Sequence, residues 1–257
     1  MSIYQHFRPE EKDFIDQAVN WIDQVKNSYA PKLSDFLDPR QQEILSTLLG
    51  NDSDAKLQFY GGSDFVERKR VLIYPDYYSP EPSDFNISLY DISYPKKFVT
   101  LEHRQILGTL MSLGVKREKF GDIIVTEEQI QFIAAEEMDL YLIGNLEKIG
   151  SASVTIKRLP IENIIKLKEN WEEQVTTVSS LRLDSVLSSV LNISRQKAQV
   201  LITSGKVKVN FKQTDNVSEE CREGDTLSIR GFGRCKLASI DGKTKKDKWR
   251  ISLGRQK

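Results

Sequence analysis

Apolar residues near the start of the chain recur with a helical period. In residues 11–27 they lie three and four positions apart, which predicts an amphipathic helix. Its apolar stripe consists of Phe14, Ala18, Trp21, Ile22 and Val25. A second helix is predicted over 39–49, followed by strands at 57–60 and 68–75 with a glycine turn between them. Residues 1–80 are therefore predicted to form a helical N-terminal unit with a β-hairpin.

The pattern becomes regular after residues 76–84, a proline-containing stretch that indicates a loop. Residues 81–162 then alternate between strand and helix patterns, over 85–94, 100–113, 121–128, 129–137, 138–150 and 151–160. The order βαββαβ predicts a ferredoxin-like domain, similar to RNA-recognition folds. Many unrelated proteins share this fold, so it does not by itself indicate a function.

The last part of the chain contains both the helical and the strand pattern of apolar residues. Residues 163–179 are predicted to form a connector, helical over the Lys- and Glu-rich stretch 163–174, and 180–257 a third domain. That domain starts with a short helix whose apolar stripe is Leu183, Val186, Leu187 and Val190. Ser194 is placed to cap a second helix, which Gly205 ends, and alternating strands follow. The predicted fold class of the whole chain is α+β.

Charge is divided unevenly along a chain whose formal net charge is zero. From Thr176 to the end there are 17 Lys and Arg against 8 Asp and Glu, while the remainder has 20 against 29. A C-terminal part of net charge +9 predicts a polyanionic partner for that part.

The start of the second C-terminal helix carries two cations, Arg195 and Lys197, behind the capping Ser194. Cations at a helix N-terminus are electrostatically unfavourable unless an anion binds there. Free N–H groups, a hydroxyl and two cations together predict a phosphate site, and solvated side chains are the alternative. Reversing the charge of Arg195 is expected to weaken RNA binding and to leave the melting temperature nearly unchanged.

Strands of the same domain bury one face and project cations from the other. Lys206 and Lys208 alternate with valines, and Arg230 and Arg234 alternate with apolar residues in later strands. Like charges on one sheet face repel each other, and a polyphosphate backbone relieves that repulsion. Asp184 is interpreted as structural, paired with a nearby cation.

Four short runs of residues in this domain resemble those of a known family. The runs R-L-D-x-x-L from Arg182, S-R-x-x-A from Ser194, G-x-V-x-V-N from Gly205 and G-D-x-x-x-x-R-G-F-G-R from Gly224 occur in order. They resemble the RNA-binding domain named after ribosomal protein S-four. The resemblance implies an RNA surface on the two helices and the start of the sheet. With the strand cations, the predicted RNA contacts are Arg182, Ser194, Arg195, Lys197, Lys206, Lys208, Asn210, Arg230 and Arg234.

Two further blocks, 61–70 and 101–125, resemble the corresponding blocks of bacterial YlmH-like proteins. Such proteins are implicated in ribosome-associated quality control on obstructed large subunits and have been linked to cell division. The resemblance thus implies rRNA or tRNA and the large ribosomal subunit as partners. The same blocks contain basic clusters that predict a second RNA contact, formed by Arg68, Arg70, His103, Arg104, Lys116 and Arg117. Solvated surface charge is the alternative interpretation.

The same RNA-binding module occurs in several classes of enzyme, but the sequence signatures of those enzymes are not evident in this chain. A pseudouridine synthase needs a catalytic aspartate in a separate domain, whereas the run 182–184 lies inside the module. A methyltransferase needs a glycine-rich loop between a strand and a helix, whereas 231–233 lies between two strands. With His6 and His103 as the only histidines, acid–base and metal chemistry have few candidates. We predict a non-enzyme with no cofactor and no metal.

Two cysteines, Cys221 and Cys235, provide no disulfide framework. No apolar run approaches the roughly 18 residues that a membrane span needs, and a secretory signal is absent. A cytoplasmic protein without membrane insertion is predicted, acting on the ribosome in translation quality control or rescue. The alternatives are an adaptor that binds the division machinery through the acidic N-terminal part, and an rRNA-modifying enzyme.

Overall fold

The computed structural model describes residues 7–50, 54–166 and 171–256. It divides into two compact units, Met1–Leu167 and Lys168–Lys257. No helix within these described ranges is both long and apolar enough to cross a membrane.

The N-terminal part of the first unit packs two helices on a three-stranded antiparallel sheet. Its elements are α1 (Lys12–Ser28), β1 (Lys32–Leu33), α2 (Pro39–Leu49), β2 (Lys56–Tyr60) and β3 (Arg70–Tyr74), with strand order β1-β3-β2. The buried face of α1 consists of Ile15, Ala18, Ile22 and Val25, because these positions share one side of the helix. The predicted helices and hairpin are present, and the short β1 is an element that the sequence pattern did not predict.

The middle part has the ferredoxin-like arrangement. Its elements are β4 (Ile87–Ser93), α3 (His103–Ser112), β5 (Phe120–Val125), β6 (Ile130–Ala135), α4 (Asp139–Asn145), β7 (Lys148–Ile149), β8 (Ala152–Ser153) and β9 (Thr155–Leu159). The four-stranded antiparallel sheet has the order β5-β6-β4-β9, which confirms the predicted fold class. The helix predicted over 138–150 is too long, because β7 and β8 form a hairpin after α4 ends at Asn145.

The two faces of this sheet pack against different partners. One face, with Tyr90 and Phe132, packs against Ile106 and Leu110 of α3 and Leu142 of α4. The other face, with Leu89 and Ile133, packs against Phe36 and Val66 of the N-terminal part. The face that RNA-recognition modules use for bases is therefore covered here by protein.

The fold of the loop between β2 and β3 depends on a glycine. A Cβ added at Gly61 would lie 2.5 Å from Val66 Cγ2 and 2.6 Å from the Arg68 carbonyl oxygen. The carbonyl oxygen belongs to the backbone, so it cannot move aside for the added Cβ as the end of a flexible side chain could. We expect Gly61→Ala to lower the free energy of unfolding by about 1–3 kcal/mol, the usual range for overpacking.

Hydrogen exchange of the β2 and β3 amides measures this loss. The control is Gly108→Ala in α3, where an added Cβ meets no described atom within 4 Å. Alanine there is expected to be neutral or to stabilise the helix by about 0.5–1 kcal/mol. Equal effects of the two substitutions would contradict the steric explanation.

The second unit packs two helices on one face of a six-stranded antiparallel sheet. Its elements are β10 (Trp171–Val178), α5 (Leu183–Val190), α6 (Arg195–Thr203), β11 (Val207–Val209), β12 (Lys212–Gln213), β13 (Thr226–Ile229), β14 (Gly233–Lys243) and β15 (Trp249–Gln256). The strand order is β10-β15-β14-β13-β11-β12. The helix predicted over 163–174 is wrong in its described part, because Trp171–Val178 pairs with β15 as a strand. Residues 167–170 of that prediction lie outside the described residues.

The core of this unit lies between the helices and the sheet. Leu183 and Leu187 of α5 and Ile202 of α6 pack against strand residues such as Val207 and Leu227. Cys221 and Cys235 belong to the same core, and burial raises the pKa of the Cys221 thiol to about 12. Both cysteines are therefore core residues.

Candidate nucleic-acid interface

The start of α5 holds a fully buried carboxylate, Asp184, whose side chain is 0% exposed. Arg195 at the start of α6 donates two hydrogen bonds to it, from Nε to Oδ2 at 2.9 Å and from Nη2 to Oδ1 at 3.1 Å. Gln199 donates a third at 2.8 Å, and Arg182 Nε approaches Oδ1 at 3.3 Å. Asp184 therefore joins the two helices, which confirms that it pairs with a nearby cation.

The ionisation of Asp184 reflects two opposing effects. Burial alone would raise the pKa of its carboxyl, but the hydrogen bonds from Arg195, Gln199 and Arg182 outweigh burial and lower that pKa to about 2. The carboxylate is thus charged at neutral pH and offsets one of the two arginine charges.

The two arginines keep part of their surface open. The side chain of Arg195 is 47% exposed and that of Arg182 is 42% exposed. Arg195 is thus both a structural partner of a buried charge and a candidate phosphate contact. The expectation that its charge reversal leaves stability nearly unchanged is at odds with this ion pair, since the reversal would place a second carboxylate beside Asp184.

Ser194 is the N-cap of α6, as predicted, and its hydroxyl accepts a hydrogen bond from the backbone N–H of Lys197 at 3.3 Å. The side chain of Lys197 itself is exposed. The cap uses one of the free N–H groups, and the Lys197 side chain remains accessible to a ligand.

Asn210 has a structural role that the sequence pattern did not indicate. It begins the turn between β11 and β12, where both Asn210 and Phe211 have positive φ. Its side chain donates to Asp225 Oδ1 at 2.8 Å and accepts from the N–H of Thr226 at 2.9 Å. An RNA contact by the Asn210 amide would have to share or replace these bonds.

The outer face of the sheet aligns cations in cross-strand rows. Lys208 lies opposite Ser228, and Ser228 lies opposite Arg234. In the neighbouring row the backbone N–H of Arg230 donates to the carbonyl of Lys206 at 2.9 Å. The side chains of Lys206, Lys208 and Arg230 are exposed, while the Arg234 guanidinium lies 5.4 Å from the ring centre of Phe211.

The predicted contacts therefore form two groups. Arg182, Ser194, Arg195 and Lys197 lie at the starts of the helices that pack on the apolar sheet face. Lys208 and Arg234 project from the opposite face, because their strand neighbours Val207, Val209 and Cys235 are in the core. Lys197, Lys206, Lys208 and Arg230 have no ion-pair partner among the described residues.

The predicted second contact is largely structural. Arg70 is 5% exposed and donates to the carbonyls of Ser34 at 2.8 Å and Asn86 at 3.0 Å. Arg68 donates to the carbonyls of Phe120 and Phe36, and burial lowers its pKa. The prediction that these two arginines face RNA is corrected: they satisfy backbone oxygens between the N-terminal and middle parts.

Arg117 is also held by the backbone. It donates to the carbonyls of Phe120 at 2.6 Å and Gly121 at 3.2 Å, and burial lowers its pKa to about 10. His103, Arg104 and Lys116 are exposed, so they are the members of this group that remain accessible.

Two residues of the C-terminal site escaped the sequence analysis. Gln199 completes the hydrogen bonding of Asp184, and Phe211 stacks with Arg234. The position of Gln199, four residues after Arg195, was a usable signal because such residues share a helix face. Phe211 had no comparable signal, since its neighbour comes from another strand.

Comparison of the sequence with known proteins identifies its family. The chain is 47% identical over 255 residues to ribosome-associated protein quality control protein P2 of Bacillus subtilis (strain 168), covering 99% of both chains. The chain belongs to the YlmH family.

The family models match the chain in three blocks. Residues 10–78 match the model "YlmH, N-terminal", residues 80–163 match "Putative RNA-binding domain in YlmH", and residues 181–227 match the S4 domain, the S-four type. Among solved structures, "Cell division protein ylmH from Streptococcus pneumoniae" is 40% identical with a TM-score of 0.54. That match covers 64% of this YlmH-family chain and 100% of the other.

Proposed function

We propose that this YlmH-family protein is a non-catalytic, cytoplasmic RNA-binding protein that acts on the large ribosomal subunit. Its ligands are rRNA and tRNA, and its role is translation quality control or rescue of stalled complexes. The observation that carries the proposal is that four cations of the predicted RNA surface are exposed and have no ion-pair partner among the described residues: Lys197, Lys206, Lys208 and Arg230. The name of the Bacillus relative supports the ribosomal setting.

Phosphate binding explains why these cations stay unpaired. Among its described residues the unit has one buried acid, Asp184, whose charge is already paired with Arg195 and Arg182. The remaining cations keep their own counterions in solution, and a phosphate backbone releases those ions when it binds.

The same carboxylate supports a role without catalysis. Asp184 is the acid of the run that superficially resembles a pseudouridine synthase motif, and it is fully buried. Its two oxygens accept hydrogen bonds from Arg195 and Gln199. An acid in this state is not accessible to a nucleobase.

Co-sedimentation with ribosomal fractions tests the proposal. The wild type is expected to sediment with large subunits, and a three-lysine variant (Lys197→Gln, Lys206→Gln and Lys208→Gln) is expected to stay at the top of the gradient. The matched control removes the same charge from Lys245, Lys246 and Lys248, exposed residues in the hairpin loop between β14 and β15. Wild-type protein that stays at the top of the gradient would refute the ribosomal role.

A division adaptor is the second candidate, favoured by the name of the Streptococcus pneumoniae relative. It predicts that the three-lysine variant restores normal division in a deletion strain despite losing its ribosome association. Failure of both functions in that variant favours the RNA-binding role.

A further inference from the structure

The turn between β13 and β14 exposes an aromatic ring that the fold does not use. Phe232 is 42% exposed, whereas the side chains of Phe211 and Trp249 in the same unit are half-buried. The residues that pack in or against the core of this unit do not include it. A phenyl ring left in water forgoes the burial that stabilises other phenylalanines, and it is open to contact with a ligand.

The backbone around Phe232 presents the ring rather than shielding it. Gly231 and Gly233 both have φ of +91°, and no described atom lies within 4 Å of a Cβ added at either position. The N–H of Phe232 donates to the carbonyl of Ile229 at 3.0 Å, and Ile229 pairs with Gly233, so the turn is closed and ordered. A flat group can therefore approach the ring past either glycine.

Cations flank this turn. Arg230 precedes it, and its N–H bond to the Lys206 carbonyl brings Lys206 alongside. Arg234 follows it at the start of β14, in the same cross-strand row as Lys208, with Ser228 between them. An exposed aromatic among cations matches single-stranded nucleic acid, in which unpaired bases stack on rings and phosphates meet positive charge.

We propose that Phe232 stacks on an unpaired nucleobase of the bound RNA while Lys206, Arg230 and Arg234 face the phosphates on either side of that base. This inference rests on the proposed RNA-binding function and deepens it. It assigns to the unit a preference for loops or flipped-out bases over paired RNA, because a base inside a duplex has no free face.

Two RNA probes of equal charge test the proposal with the full-length protein. One is a stem-loop with an unpaired loop, and the other is the same stem-loop with abasic loop nucleotides. Phe232→Ala is expected to weaken binding to the first about tenfold or more, in the range of one base–aromatic stack, and to leave binding to the second unchanged.

Further variants separate stacking from apolar contact and from folding. Phe232→Trp is expected to retain binding, and Phe232→Leu is expected to behave like the alanine variant. Phe98→Ala, at an 86% exposed ring of the first unit, is the matched control and should leave both affinities unchanged. Thermal unfolding of each variant reports whether the turn still folds.

Three other outcomes would contradict the stacking role. An equal loss on both probes, no loss on either, or a wild type that binds neither probe would overturn the stacking role and leave Phe232 available to a protein partner. The ribosomal proposal fails only if the wild type does not sediment with large subunits. The two failures are therefore distinguishable.

Discussion

Arg195→Glu is expected to destabilise the C-terminal unit by about 3–5 kcal/mol, the usual effect of removing one partner of a buried ion pair. Arg195 donates two hydrogen bonds to Asp184, whose side chain is 0% exposed. The variant removes these two bonds, leaves Asp184 only its contacts with Gln199 and Arg182, and adds a second negative charge beside the first. Hydrogen exchange of the β11 and β13 amides measures the loss in the full-length chain.

Lys197→Glu is the matched control, since it makes the same charge change two residues later on the same helix. Its side chain is exposed and has no ion pair with a described residue. A surface change of this kind is expected to stay within about 0.5 kcal/mol. Comparable destabilisation by both variants would show that helix-start charge, rather than the Asp184 pair, controls stability.

The same pair makes the unit sensitive to acid. The pKa of Asp184 is about 2 in the folded protein and near 3.8 ordinarily. Because the folded value is the lower one, the stabilisation is present above pH 3.8 and is lost as the pH falls toward 2. The loss is expected to be about 2 kcal/mol in the wild type and much smaller in Arg195→Ala.

The affinity of the protein for large ribosomal subunits is expected to fall steeply with salt. With about five phosphate contacts, log affinity against log salt should have a slope near −4. The three-lysine variant loses about three contacts, so its slope should be near −2. Counterion release from three contacts is worth roughly 100-fold at 0.15 M salt, which sets the expected loss of affinity.

A filter-binding titration with purified large subunits over a range of potassium chloride concentrations measures both quantities. The variant without Lys245, Lys246 and Lys248 has the same net charge and is expected to keep the wild-type slope. A wild-type affinity that does not depend on salt would rule out the electrostatic mechanism. Equal slopes in the two triple variants would mean that total charge, not the S4 surface, drives binding.

The local periodicity of apolar residues determined much of the secondary structure of this protein. Ala18, Ile22 and Val25 of the predicted stripe are on the buried face of α1, whereas Phe14 and Trp21 are half-buried and the buried Ile15 was not predicted. The alternation around Val207 and Leu227 became the apolar face of the C-terminal sheet. Both follow from side-chain direction, which repeats every 3.6 residues in a helix and every two in a strand. The order of elements was enough to predict the ferredoxin-like sheet, and ordered short motifs were enough to indicate the family.

Only the tertiary structure decided which charged side chains are buried and which are exposed. Arg70 and Lys208 look alike in the sequence, yet Arg70 is buried on backbone carbonyls and Lys208 is exposed. The strand at Trp171–Val178 was likewise hidden, because its pairing partner β15 lies far along the chain. Helix propensity and charge pattern are local properties, whereas burial, ion pairing and strand pairing depend on residues that folding brings together from distant positions.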